Sequence, residues 1–104
     1  MKKVFLACAV SAGLTLAAGF AQANEKLAQA SGCTTCHAVD KKLIGPSYKD
    51  VAAKYRGGKG AEADLVKKVK AGSKGVWGEI PMPPNAHVKD EDIKTIVQWI
   101  LATK

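Results

Sequence analysis

The stretch SGCTTCHAVD, residues 31–40, contains two cysteines three positions apart and a histidine directly after the second. This C-x-x-C-H pattern is compatible with a redox-active dithiol, with half of a zinc site, or with a point of covalent haem attachment. The three interpretations require different surroundings. The rest of the chain therefore decides among them.

The first 23 residues have the pattern of a secretory signal peptide. Two lysines precede an apolar run, residues 4–20, and AQA at residues 21–23 has the small-x-small pattern of a cleavage site. The apolar run is short and diluted with small residues, which favours cleavage over retention as a membrane anchor. We therefore predict a leader at residues 1–23 and one exported domain at residues 24–104.

The exported domain has helical periodicity and no strand pattern. Its last segment is the clearest, because Ile93, Ile96 and Val97 lie on one helical face and three acidic residues precede them. Glycines follow the three earlier apolar segments and favour helix ends there. The predicted helices are residues 25–31, 48–56, 61–71 and 90–102.

A proline-rich segment, WGEIPMPPNAHV at residues 77–88, separates the last two predicted helices. It contains Met82, the only methionine outside the leader. A lone methionine is usually core filler. Beside a C-x-x-C-H motif, however, Met82 becomes a candidate iron ligand, because a loop stiffened by prolines loses little entropy in holding sulfur at a metal. His87 is an alternative ligand, but the prolines centre on Met82.

Haem attachment is the interpretation that uses every residue of the motif. A thioredoxin-like dithiol needs a βαβ setting, and no strand is predicted. A zinc site needs four ligands, and a histidine adjacent to the second cysteine is poorly spaced to share the ion. In the haem interpretation, Cys33 and Cys36 form thioethers and His37 binds the iron.

These features resemble the short-chain bacterial class I cytochromes c of the cytochrome c-551 type. The resemblance covers residues 24–104 and implies an all-α fold of about four helices around one covalently attached haem c. It rests on CTTCH at 33–37, GP at 45–46, YKDVAAKY at 48–55, GVWG at 75–78 and IPMPPN at 80–85.

The resemblance also implies roles for residues around the haem. His37 and Met82 are the two axial ligands of the iron. The carbonyl of Pro46 accepts a hydrogen bond from the His37 ring, and Trp77 donates one to a haem propionate. Asn85 reaches the sulfur of Met82. In related chains the position of Lys68 can hold an arginine near a propionate. This chain departs from that pattern by having a lysine there.

The implied function is that of a monomeric, diffusible one-electron carrier in the periplasm. Its partners would be a membrane-bound donor and a terminal reductase or oxidase, for example a nitrite reductase or a cytochrome oxidase. Two axial ligands leave no open position on the iron, so no enzymatic activity is expected. The alternative is a haem enzyme or gas-binding module in which Met82 detaches.

The distribution of charge along the chain indicates what kind of partner the protein binds. Sixteen basic residues against nine acidic ones give a formal charge of +7, and two of the lysines lie in the leader. The remaining lysines are spread along the chain without interleaved aromatic residues, which argues against a nucleic-acid partner. We hypothesise that some of them surround the haem edge and steer acidic partners. The candidates are Lys41, Lys42, Lys49, Lys67, Lys68, Lys70 and Lys74.

Overall fold

The computed structural model describes residues 23–104. Apart from Ala23, the predicted leader therefore lies outside the described residues. Within them the chain forms four α-helices and no β-strand, which confirms the predicted all-α class. The helices are α1 at residues 23–30, α2 at Tyr48–Tyr55, α3 at Ala61–Ala71 and α4 at Asp90–Leu101, with one 3₁₀ turn at Cys33–Thr35.

Local sequence accounts for where these helices begin and end. Gly32 follows α1 with a φ of 87°, a left-handed conformation that glycine adopts without strain. The Ser47 side chain caps α2 by accepting a hydrogen bond of 3.0 Å from the Asp50 N–H. Three acidic residues occupy the first turn of α4, where they complement the positive end of the helix dipole. The helix boundaries thus agree with the predicted ones to within one or two residues.

The hydrophobic core lies between α4 and the two preceding helices. α4 packs against both α2 and α3. The buried cluster consists of Leu65 from α3, Val88 from the preceding loop, and Ile93 and Val97 from α4. Because Ile93 and Val97 are the largest fully buried side chains, the core is small and depends on one face of α4.

The C-terminal end of α4 is tied to the end of α2 by Arg56. Its Nε donates to the carbonyl of Leu101 at 3.2 Å, and its Nη2 donates to the carbonyl of Thr103. The last carbonyls of a helix have no partner within the helix, so a guanidinium here satisfies them and suits the negative end of the dipole.

No helix among residues 23–104 is long and apolar enough to cross a membrane.

Ile93 is the position at which the core is most sensitive to truncation. Ile93→Ala should lower the free energy of unfolding by about 2–5 kcal/mol, because it deletes fully buried methyl groups and leaves a cavity. Chemical denaturation followed by circular dichroism measures this loss. The control is Lys94→Ala, which truncates an exposed side chain of the same helix and should change stability by less than about 0.5 kcal/mol. Equal losses at the two positions would contradict the assignment of the core.

Candidate functional site

A mostly apolar cleft of about 540 Å³ lies between the C-x-x-C-H turn, the later helices and the proline-rich loop. Its volume is within the range of about 300–1,000 Å³ usual for cofactor sites. The cleft brings together residues that are far apart in the sequence. The residues that line it include Cys33, Cys36, His37, Pro46, Tyr48, Tyr55, Leu65, Lys68, Trp77, Met82, Ile96 and Ile100.

The His37 ring is fixed by a hydrogen bond to the backbone. Its Nδ1 lies 2.7 Å from the carbonyl oxygen of Pro46. A carbonyl only accepts, so Nδ1 carries the hydrogen in the neutral imidazole and Nε2 keeps its lone pair. A histidine that binds a metal usually has its second nitrogen engaged in this way. The structure thus leaves Nε2 as the nitrogen available for an iron atom.

Gly45 allows the chain to pass close to this ring. A Cβ at Gly45 would lie 2.6 Å from Cε1 of His37, closer than any normal contact. The Gly45 N–H donates to the carbonyl of Cys36 at 2.7 Å, which draws the segment back over the motif. Any larger residue at this position would therefore press on the imidazole.

Tyr48 supports the His37 ring from α2. The two ring centres are 5.5 Å apart with an interplanar angle of 25°, and Trp99 contacts Tyr48 edge-on at 5.2 Å. Tyr48 is 2% exposed, and its hydroxyl has no hydrogen-bond partner in the described part of the chain. Burial raises the pKa of Tyr48, so the hydroxyl is neutral. No sequence pattern predicted the contact between Tyr48 and His37.

Cys33 and Cys36 are both free and partly buried within one turn. Burial raises the pKa of the Cys33 thiol, a backbone hydrogen bond opposes the rise, and Cys36 adds to it. A redox dithiol instead needs a thiol with a lowered pKa. The Cys33 thiol thus lies in the cleft without the lowered pKa of a redox dithiol.

The described residues offer no alternative metal site. No group of three or more His, Cys, Asp or Glu side chains that could hold a metal ion occurs within residues 23–104, and His87 is exposed and absent from the cleft wall.

Met82 is held in the cleft by a pair of backbone hydrogen bonds. The Met82 N–H donates to the carbonyl of Ser73 at 2.8 Å, and the Ser73 N–H donates to the carbonyl of Met82 at 3.1 Å. Gly72, with a φ of 88°, permits the close approach, because a Cβ there would lie 2.7 Å from the Met82 oxygen. The end of α3 therefore determines where the Met82 loop enters the site.

Comparison with known proteins assigns this arrangement to a family. The family model "Cytochrome c" matches residues 21–104. The chain is 50% identical over 105 residues to cytochrome c-551 of Pseudomonas aeruginosa, with 100% of both chains covered. It is 60% identical over 81 residues to cytochrome c-551 of Allochromatium vinosum, covering 78% of this chain and 86% of that protein. The chain belongs to the cytochrome c family.

Solved structures agree with this assignment. The crystal structure of wild-type Nitrosomonas europaea cytochrome c552 superposes with a TM-score of 0.75 at 49% identity, covering 77% of this chain and 99% of that one. The resemblance to the c-551 type is confirmed. This cytochrome c carries one covalently attached haem c and belongs to a class of electron-transport proteins.

The residues of the cleft fit a haem of this kind. Two free thiols, an imidazole whose Nε2 is outside the Pro46 hydrogen bond and a thioether belong to residues that line one apolar space. Thiols that become thioethers give up their hydrogens, so they need no charged partner in the cleft. The donor set matches the nitrogen and sulfur ligands of c-type iron.

Asn85 makes contacts that the sequence did not predict. Its Nδ2 donates to the carbonyls of Val69 at 3.0 Å and Pro83 at 3.3 Å. Its backbone N–H is shared between the carbonyls of Val69 and Lys70, at 3.1 and 3.2 Å. Asn85 therefore completes the C-terminal end of α3 and fixes the loop after Met82. These contacts do not include the Met82 sulfur, and that role of Asn85 stays a prediction.

Aromatic and basic side chains meet at one part of the cleft wall. Trp77 is 41% exposed, and the Nζ of Lys54 lies 5.6 Å from its ring centre. The Nζ of Lys68 lies 2.7 Å from Asp64 and 5.6 Å from the Tyr55 ring. The hydrogen bond with Asp64 is the main cause that raises the pKa of Lys68, so the side chain is cationic. The propionate roles of Trp77 and Lys68 stay predictions.

Gly45→Ala tests how closely the chain packs on His37. Gly45 has no positive φ, so the expected loss comes from the added methyl group against the imidazole ring. The free energy of unfolding of the haem-loaded protein should fall by about 1–3 kcal/mol. Gly58→Ala is the control, because Gly58 also lacks a positive φ and its nearest contact would be 3.2 Å, to the Tyr55 oxygen. A variant at Gly45 as stable as the control would contradict the close packing.

Proposed function

We propose that this cytochrome c is a diffusible one-electron carrier of the periplasm, with His37 and Met82 as axial ligands of its haem iron. The observation that supports the proposal is that His37, whose Nε2 takes no part in the Pro46 hydrogen bond, and Met82 line the same cleft as both cysteines. An iron with two protein ligands has no open position for a substrate. Such a centre suits electron transfer rather than catalysis.

Each residue of the proposed set has a distinct task. Cys33 and Cys36 would anchor the porphyrin through thioether bonds, and the short turn between them fixes its orientation. His37 would bind through Nε2 while the Pro46 carbonyl holds Nδ1–H at 2.7 Å. The haem, once bound, supplies an iron that accepts and releases one electron. The apolar side chains of the cleft exclude water from it.

Trp77 and Asn85 have supporting tasks in the proposal. Trp77 lines the cleft and carries an indole N–H, which is a donor suited to a propionate oxygen. Asn85 holds the Met82 loop against the end of α3 through Val69. Lys68 also lines the cleft and offers a positive charge beside Tyr55.

The periplasmic location rests on the leader-like sequence at residues 1–23 and on the covalent haem. A c-type haem is attached after export, so a chain with both features is expected to work outside the cytoplasm. The proposed partners are a membrane-bound donor and a terminal reductase or oxidase. The carrier is proposed to act as a monomer, without nucleic acid and without membrane insertion.

Exposed apolar side chains near the cleft provide a contact surface for such partners. Ile80 is 68% exposed, Ile44 54% and Leu43 43%, and all three line the cleft. Lys42 and Lys74 also line it and add positive charge. An apolar centre with a basic rim favours a partner with an acidic rim, which accelerates encounter. Of the other candidate lysines, Lys68 and Lys70 form ion pairs within the chain.

Met82→Ala tests the axial ligand. The wild-type ferric protein should have the weak near-infrared band of sulfur-ligated haem, and the variant should lack it. Removal of the thioether should raise the affinity for added imidazole at least about tenfold, or about 1.4 kcal/mol. His87→Ala is the control and should keep the band. A wild type without the band would favour the alternative, a haem enzyme or gas-binding module in which Met82 detaches.

Salt dependence tests the steering by lysines. The rate constant for electron transfer to an acidic redox partner should fall at least about tenfold between 0.01 and 1 M ionic strength, where the Debye length shrinks from about 30 to 3 Å. Lys42→Gln with Lys74→Gln should weaken this dependence. Lys26→Gln with Lys104→Gln removes the same charge from residues outside the cleft wall and should weaken it less. Rates that are flat with salt would exclude steering.

A further inference from the structure

Lys70, in the last turn of α3, joins three parts of the chain. Its Nζ donates to the carbonyl of Val88 at 2.7 Å and lies 2.9 Å from Oδ1 of Asp90. Val88 is 7% exposed and belongs to the core cluster, and Asp90 begins α4. One ammonium group therefore connects the end of α3 with both the loop after Met82 and the start of α4.

The Val88 contact is the more important of the two. The side chain of Asp90 is 79% exposed and that of Lys70 is 38% exposed, so water screens their ion pair. The hydrogen bond to the Val88 carbonyl is partly buried and charge-assisted, which makes it stronger than a neutral one. Its removal would leave a carbonyl with reduced access to water.

Three sets of hydrogen bonds hold the Met82 loop, and those of Lys70 lie farthest from Met82 along the chain. The first set is the backbone pair of Ser73 and Met82. The next is Asn85, whose N–H groups bond to carbonyls near the end of α3. The Val88 N–H then donates to the carbonyl of Asn85 at 3.1 Å, so the turn that Lys70 holds also contains Asn85. Release of Val88 would thus loosen the turn that positions Asn85, and through it the Met82 loop.

We propose that Lys70 is a positioning residue that keeps the Met82 thioether on the iron by clamping the loop at Val88. The inference rests on the proposed ligation by Met82. An iron–thioether bond is weak, so the frequency at which the loop opens determines how often the sulfur leaves. Lys70 acts on this opening from outside the cleft, because it does not line the cavity.

The test compares the rates at which imidazole displaces Met82 in the oxidised, haem-loaded protein, followed by loss of the near-infrared band. Lys70→Met keeps an unbranched side chain but removes the donor, and should accelerate displacement at least about tenfold, or about 1.4 kcal/mol of opening free energy. Lys70→Arg keeps a cationic donor and should restore much of the wild-type rate. Asp90→Asn removes only the exposed ion pair and should change the rate little.

Arg56→Met is the matched control for a general loss of stability. Arg56 also donates to two backbone carbonyls, but at the opposite end of α4. The Arg56→Met substitution should lower the denaturation midpoint while leaving the rate of imidazole displacement near that of the wild type. The amide hydrogen of Met82, which bonds to Ser73, gives an independent readout, and its exchange should accelerate in Lys70→Met alone.

The outcomes separate this inference from the proposed function. If the wild type lacks the near-infrared band, ligation by Met82 fails and the inference fails with it. If the band is present but imidazole displaces Met82 at the wild-type rate in the Lys70→Met variant, only the role of Lys70 is overturned. Equal acceleration in Lys70→Met and Arg56→Met would also overturn it, because Lys70 would then contribute only to global stability.

Discussion

The hydrogen bond between Nδ1 of His37 and the Pro46 carbonyl is the contact on which the site depends. At 2.7 Å it determines the tautomer, and thereby which nitrogen keeps a lone pair for a metal. Gly45 brings the chain close enough for this bond to form, and Tyr48 packs along the ring. The imidazole is thus oriented by contacts with its own chain.

The cleft also bears on the stability of the fold, because the polypeptide's own core is small. The buried cluster of Leu65, Val88, Ile93 and Val97 is small, and much of the apolar surface of α2, α3 and α4 faces the cleft instead. A domain of this size buries little surface with its own side chains and usually needs a staple. A covalently attached haem c is such a staple, because it adds apolar surface to the interior and links it to the chain at two points.

The sequence predicted most of what is local. The C-x-x-C-H motif and the loop at Met82 lie within short segments, and the apolar period of α4 spans only a few turns, so all three were recognised without tertiary information. The contacts missed at Tyr48 and Lys70 join residues from separate elements. No periodicity or spacing encodes a lysine that reaches a carbonyl 18 positions away. The contacts of Asn85 with Val69 and Pro83 were not predicted for the same reason, since they depend on where α3 ends.

The two proposed ligands are therefore held in different ways. His37 is positioned by contacts that begin and end between residues 33 and 48, close to its own covalent anchors. Met82 is positioned by the end of α3 and the start of α4, through Ser73, Asn85 and Lys70. A fluctuation that separates those two helices releases the thioether but leaves the imidazole in place. The chain thus couples the proposed thioether ligand to tertiary packing, whereas the proposed imidazole ligand depends mainly on local structure.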